Sequence, residues 1–469
     1  MPQLPSKRRQ PIRPYRSAPP DRYCRLFPHS LGDVNEALIE RLTALAFSML
    51  VKHDASPIPP TTFGVNPPPA AYTYFGQFID HNLTEDDTPM RAAGKVEPWE
   101  TVNYRGPWLN LSGIYSPVHD RGAWRQLYRP DGLSFRLGEA INGKEFDLPL
   151  NDRGFPVLTD ERNNENIIIR QIHVMFLKLH NLAIEELKGE LLSPREKFAK
   201  AQERVCWQYQ YLVRHDFLSR VCCKRVFEEL VEKNGTTIDW SAGFSIPVEA
   251  AQAALRFGHS MVRPSYNLNV SHPDIALRDL LRGGEPGALE SDMAVDWPTL
   301  LGPAEHSMRF DTAIASPLFG LESKDIHSYV DSPKPHMPHP LPVRTLVRGA
   351  RTRLPTGQDV AKRMGVTELH PIATTVDGVY YDPAAHLREL GLDEATPLWY
   401  YLLLEAEVNE KGATLGELGS RLLIETINAA LRHDPNSYLS QEPEWTPKPW
   451  NSSQPVKTLL DLARLVRLA

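Results

Sequence analysis

Tyr74-Phe75-Gly76-Gln77-Phe78-Ile79-Asp80-His81-Asn82-Leu83-Thr84 is the stretch from which the rest of the chain can be read. Helical spacing puts Gln77 and His81, four residues apart, on one face with Asp80 beside them. Tyr74, Phe75, Phe78 and Ile79 give the other side an apolar surface suited to burial. An amide, a carboxylate and a titratable base therefore project together from a helix whose back is anchored in a core.

Composition sets the outer limits. Hydrophobic residues make up 41% of the 469 positions, enough for a sizeable core, so disorder is not the expectation. The length admits about three average domains, although single large helical enzymes reach the same size. A formal charge of −6 gives no electrostatic case for a nucleic-acid partner. The basic group Lys7, Arg8, Arg9, Arg13 and Arg16 has no apolar run behind it and does not read as a secretory signal. No run of 18 or more consecutive apolar residues occurs, so no membrane span is expected, and a cytoplasmic location is. The four cysteines, Cys24, Cys206, Cys222 and Cys223, are too few and too clustered for a disulfide framework. Adjacent Cys222 and Cys223 read as buried thiols ahead of a redox pair.

Proline, at 42 residues, is clumped between Pro2 and Pro20, Pro57 and Pro69, and Pro333 and Pro342, which reads as extended arms or loops. Helix signals lie between them. Ile168, Ile172, Met175, Phe176, Leu179, Ala183 and Leu187 keep close to a 3-4 spacing. Ser193-Pro194-Arg195-Glu196 is a capping box with proline at the first helical position, opening a helix toward Leu218. Further helices are expected from Pro247 through an alanine-rich run to about Val262, from Leu398 to Val408, and from Leu415 to Leu431. Strand-like alternation is scarce. The expected fold is mainly α, a single large helical domain with long proline-rich loops and little β. Its expected organisation is an extended arm over 1–22, a catalytic domain over 23–447, and a helical tail over 448–469 packing on that domain.

Two more motifs carry chemistry. Asp160-Glu161-Arg162-Asn163-Asn164-Glu165-Asn166 precedes the long helix, with Arg162 and Glu165 three apart at its start. Acidic groups at a helix N-terminus commonly do no more than stabilise the dipole. Leu255-Arg256-Phe257-Gly258-His259-Ser260-Met261-Val262 places His259 in an apolar stretch, and Gly258 beside it leaves room for a planar group to approach. A lone histidine there would ordinarily be a satisfied core residue.

Taken together and in order, the three motifs resemble those of the animal haem peroxidase family, in a form seen in bacterial members. The similarity extends to Gln208 through Leu218, Leu354 through Ala361, Thr396 through Tyr401, and Asp434 through Leu439, from about Tyr23 to Pro447. The resemblance implies a haem b cofactor with His259 as axial iron ligand. It makes Arg162 the catalytic arginine and Asp80 and Glu165 the carboxylates that form ester links to haem methyl groups. His81 is then the base that takes a proton from hydrogen peroxide and returns it to the departing oxygen. Arg162 stabilises charge on that oxygen, and Gln77 orders water and borders a small-anion site. The expected partners are hydrogen peroxide and a small reductant, either a halide or thiocyanate anion or an aromatic donor.

The chain departs from the family pattern at three places. Asn82 and Asn110 stand where the family's calcium site has aspartates, and Gly106 replaces a hydroxyl residue. Ser112 and carbonyls remain, so tight calcium binding is not expected; an asparagine–backbone cluster would hold the helix instead. Thr345 falls where an asparagine normally supports the axial histidine, predicting a weaker partner for His259. Asn166 follows Glu165 where some members carry a methionine that makes a third haem link. Two other readings stand beside the peroxidase: a fatty-acid dioxygenase on the same scaffold, and a haem-binding protein with decayed activity.

Overall fold

The computed structural model describes residues 11–50, 66–86, 97–115, 126–139, 145–282, 285–321, 340–370, 373–376, 379–450 and 454–468. Most of proline stretch 57–69 and of stretch 333–342, and the first ten residues, lie outside these. The described chain is mainly helical, with three two-stranded pairings: Tyr23–Cys24 with Ile246–Pro247, Ser265–Tyr266 with Ile275–Ala276, and Thr374–Val376 with Val379–Tyr381. The helices that position the site are α1 (Glu36–Ser48), α2 (Ala71–Leu83), α3 (Ile167–Glu186), α4 (Pro194–Tyr211), α5 (Gly258–Met261), α6 (Leu341–Arg351), α7 (Leu398–Glu410), α8 (Glu417–His433) and α9 (Leu459–Leu465).

Helix α2 is fixed by its aromatic back. Phe78 stacks on Phe176 of α3, with ring centroids 5.4 Å apart, and meets Tyr209 of α4 edge-on at 5.9 Å. Phe75 meets Phe217 edge-on at 5.9 Å. Gly76 lets that ring in: a Cβ there would lie 3.2 Å from Phe217. Burying each phenylalanine contributes about 2–3 kcal/mol, and each ring pair adds about 1 kcal/mol. The polar face of α2 is thereby held against rotation.

The capping box at Ser193 and Glu196 opens α4, and beyond Tyr211 the backbone widens into a π turn over Leu212–Phe217 before one α-helical turn ends at Val221. The run from Pro247 is not one helix. It breaks into Val248–Gln252, a 3-10 turn Ala254–Phe257, and α5. Ala253, at φ −134° and ψ −65°, leaves helical backbone. Arg256 Nε takes the Ala251 carbonyl at 3.0 Å, the acceptor a continuing helix would have offered to residue 255. Buried Glu249 anchors the segment by accepting from the Leu26 and Phe27 amides, beside the Tyr23–Ile246 pairing.

Helix α3 is long and apolar enough by composition to cross a membrane, but 83% of that window is buried inside the protein, where it is the central core helix. Near the N-terminus, Ile12 bridges to Ile238 and Arg16 to Arg25, so residues 11–22 run as an arm laid on the surface. At the other end, α9 buries Leu459, Leu462 and Ala463, and the Leu459 amide donates to Asp216. All four cysteines are unpaired and buried.

Candidate active site

The face of α2 that carries Gln77, Asp80 and His81 meets two other segments, one from each side of the 160s and 250s. Asp80 is buried, receives the Thr84 hydroxyl at 3.0 Å, and pairs with Arg256 at 3.0 Å. Arg256 lies three residues before His259, so this ion pair ties α2 to the histidine segment. Thr73 at the start of α2 reaches the Met261 carbonyl at 3.5 Å, a second tie between the same elements.

His259 is half-buried at the start of α5. Burial, then the charges of Arg256 and Arg344, holds its pKa down to about 3, so the ring is neutral at ordinary pH. Its Nδ1 lies 3.4 Å from Thr345 Oγ1 on α6. That hydroxyl donates its own proton to the Leu341 carbonyl at 2.9 Å, so toward His259 it can only accept. A bond between the two therefore requires the proton on Nδ1, which leaves Nε2 with its lone pair. The contact is long for a hydrogen bond, and a neutral hydroxyl is a weak acceptor. Trp399 of α7 meets the His259 ring at 5.8 Å and 71°, while its indole N–H holds the Arg256 carbonyl. A Cβ added at Gly258 would meet nothing within 4 Å, so open space adjoins the residue next to His259.

Arg162 and Glu165 diverge from the turn that precedes α3. Arg162 Nε and Nη2 grip the two oxygens of Asp160 at 3.0 and 2.8 Å. Its Nη2 also reaches the His81 carbonyl at 2.8 Å, and Nη1 the Thr84 carbonyl at 2.7 Å. The guanidinium thus caps the C-terminus of α2, where carbonyls lack helical partners. Four of its five N–H groups are committed to this clamp, and one on Nη1 remains. Glu165 accepts from Gln77 Nε2 at 2.8 Å, and Asn166 donates to Gln77 Oε1 at 3.1 Å. Both ends of the Gln77 amide are engaged by side chains that the sequence places next to each other.

His81 is buried, and its Nδ1 lies 3.0 Å from Asn163 Oδ1. Burial, then the Arg162 charge, lowers its pKa to about 4, against opposing pulls from Asp160, Asp80 and the Asn163 bond. Asn82, Asn110 and Ser112 interlock: Asn82 donates to Ser112 Oγ at 3.1 Å and accepts from the Leu111 amide, and Asn110 accepts from the Ser112 amide. No group of three or more His, Cys, Asp or Glu side chains suited to a metal ion occurs among the described residues.

Several participants gave no signal in the sequence. Asp160 holds Arg162, Arg256 holds Asp80, Trp399 packs on His259, and Asn163 binds His81. All four lie within the motif-bearing stretches, but nothing in the sequence marks which residue each one holds; Arg256 pairs with a residue 176 positions earlier.

Residues 84–282 match the family model described as animal haem peroxidase. That span includes Arg162, Glu165 and His259 and begins just after His81. A "peroxidase-like protein" of Margaritifera margaritifera is 31% identical over 138 residues, 24% of this chain and 16% of that protein, so the match spans under a fifth of the relative's length. Among solved structures, Peroxidase A of Dictyostelium discoideum superposes with a TM-score of 0.61 at 14% identity, covering 98% of this chain and 97% of that one. Fatty acid alpha-dioxygenases superpose as well: that of Oryza sativa at TM-score 0.62 and 12% identity, and that of Arabidopsis thaliana at 0.63 and 14%. Each covers 95% of this chain, and 79% and 77% of its own. At these identities the superpositions show a shared fold, and the family model supports the animal haem peroxidase family over residues 84–282.

Proposed function

We propose that this chain is a haem-dependent oxidoreductase of the animal haem peroxidase family that reduces hydrogen peroxide at the expense of a small reductant. The observation that carries this reading is His259: a neutral imidazole whose Nδ1 faces Thr345, whose Nε2 keeps its lone pair when the two bond, and whose neighbour Gly258 adjoins open space. That donor chemistry fits an axial ligand to haem iron. Asp80, now paired with Arg256, and Glu165, now bonded to Gln77, are the carboxylates that would hold the haem edge, by hydrogen bonds or by ester links.

Bound there, haem would supply the two-electron reduction of the peroxide O–O bond and the oxidising power passed to the donor. The chain's own residues supply the rest. His81, neutral across ordinary pH, takes the proton from one peroxide oxygen and returns it to the other. Arg162 is held rigidly by Asp160 and two carbonyls, so its remaining Nη1 proton and its positive charge favour the departing oxygen at no reorganisation cost. Gln77, fixed between Glu165 and Asn166, presents a preset polar surface for water or a small anion.

A second reading is favoured by the fold neighbours, since the fatty acid alpha-dioxygenases superpose as well as the peroxidase does. On that reading the same histidine would serve oxygenation of a fatty acid. Absorption spectroscopy of protein produced with ample haem separates the two. A Soret band that shifts on one addition of peroxide and returns with a phenol or iodide supports the peroxidase. A band inert to peroxide, with oxygen uptake on adding palmitic acid, supports the dioxygenase. Inertness in both assays leaves a haem binder, and absence of any Soret band sinks the proposal.

A further inference from the structure

We propose that Asn163 is a positioning residue that locks His81 in the Nδ1–H tautomer, so that its Nε2 is permanently the base. The inference rests on the peroxidase reading for its purpose, not for its geometry. Asn163 sits in the 3-10 turn Glu161–Asn164, is 2% exposed, and has its backbone amide tied to the Asp160 carbonyl at 3.0 Å. Its side chain bridges two imidazoles. Oδ1 lies 3.0 Å from His81 Nδ1, and Nδ2 lies 3.2 Å from His173 Nδ1.

An amide oxygen only accepts and an amide nitrogen only donates. With the amide in this direction, His81 Nδ1 must carry a proton and His173 Nδ1 must not. His173 lies on α3, 2% exposed, with the Phe78 ring edge-on to it at 6.3 Å, so the amide's second partner is held in place. The opposite end of His81 is also held, since its carbonyl receives Arg162 Nη2 at 2.8 Å. Turning the amide over would reverse the chemistry, putting the proton on Nε2 and making His81 a donor to peroxide instead of an acceptor. The choice of an amide matters too. A carboxylate would favour the charged imidazolium, whereas an amide neither takes a proton nor adds charge. A proton collected at Nε2 therefore stays on His81, ready to be returned.

The full chain, haem-free and labelled with 15N-histidine, tests this directly through long-range 1H–15N correlations, with the His81 signals assigned by their loss in His81→Gln. The expected spectrum has a protonated Nδ1 and an unprotonated Nε2; the reverse pattern overturns the proposal. Asn163→Leu should turn His81 into a mixture of tautomers, and Asn163→Asp, which keeps the acceptor, should restore the Nδ1 proton while raising the pH at which Nε2 is protonated. If Asn163→Leu does not fold, His173→Phe removes the amide's second partner and should lower the Nδ1–H fraction; an unchanged spectrum in a folded variant overturns the proposal. With haem bound, cyanide association, which also needs Nε2 as a proton acceptor, and the rate with peroxide should both fall about tenfold in Asn163→Leu, the equilibrium weight of one side-chain hydrogen bond. Equal rates in parent and Asn163→Leu would likewise overturn it. Failure of the parent itself to bind haem or meet peroxide would strike the functional reading and leave the tautomer result standing.

Discussion

Arg162 offers the sharpest check, because its clamp makes a stability claim that needs no cofactor. Consider Arg162→Met in the haem-free chain, which keeps most of the side-chain volume and removes the charge. Asp160 is buried, which alone would raise its pKa. Instead the hydrogen bonds and charge of Arg162, with His81 and Arg105, hold it at about 2 against an ordinary 3.8. A depression of about two units corresponds to about 2.5 kcal/mol of folding stability. Arg105 Nη2 remains 3.2 Å from Asp160 but is the weakest of these holds, so most of that is lost with the substitution. The lost bonds to the His81 and Thr84 carbonyls add about 1–1.5 kcal/mol each. The sum is a loss of about 4 kcal/mol, in the range for breaking one side of a buried ion pair. Since the folded pKa of Asp160 is depressed, its share is fully present above pH 3.8 and disappears as pH falls through about 2. Urea denaturation at pH 7 and at pH 3 should therefore show the parent–variant gap narrowing in acid. A gap under 1 kcal/mol at pH 7 would refute the clamp. With haem bound, the same variant should meet peroxide about 10²-fold more slowly, and an unchanged rate in folded protein would show that another group stabilises the departing oxygen.

Acid should destabilise the chain through its buried histidines. His81, His173 and His180 are held at about 4, and His259 at about 3, chiefly by burial. Against an unfolded value of 6.5, the unfolded chain binds more protons between pH 6.5 and 4, so stability falls across that window by up to about 1.4 kcal/mol per unit for each ring; urea midpoints that stay flat from pH 7 to 5 would contradict this. Thr345→Asn offers His259 a longer and stronger acceptor than the present 3.4 Å contact, and should lower the haem midpoint potential in spectroelectrochemical titration, while Thr345→Val should raise it. The interlocked Asn82, Asn110 and Ser112 should do without calcium, so EDTA is expected to leave the melting temperature unchanged, and a fall of several degrees would show a bound ion. Burial pushes the thiols of Cys24, Cys222 and Cys223 upward, so an aromatic disulfide reagent should react only after denaturant is added.

Much of the helical framework was legible because periodicity and end signals are local. The Ser193–Glu196 box opens α4 where the sequence places it, and the apolar spacing from Ile168 onward becomes the buried stripe of α3. The run from Pro247 was read as one helix because alanine favours helix everywhere. It breaks at Ala253 because the Arg256 side chain takes the Ala251 carbonyl within the run and Glu249 bonds the Leu26 and Phe27 amides outside it, and those contacts outweigh propensity. Spacing of three at a helix start lets Arg162 and Glu165 project into the same space. The 3-10 geometry of the turn sends one to the end of α2 and the other to Gln77.

The sequence by itself determined which side chains could do chemistry: a histidine and carboxylate on an aromatic-backed helix, an arginine and glutamate before another, and a second histidine beside a glycine. Tertiary structure alone decided what each can do with its protons. Tautomer, charge state and donor direction depend on which atom lies within about 3 Å, and here those atoms come from segments far apart in the chain. Asn163 sets His81, Thr345 faces His259 and Arg256 holds Asp80, while Arg162, committed by its neighbour Asp160, reaches the distant His81 and Thr84 carbonyls. Burial supplies most of the remainder, with the nearby arginine charges, by keeping these imidazoles neutral and able to accept a proton even below the ordinary histidine pKa.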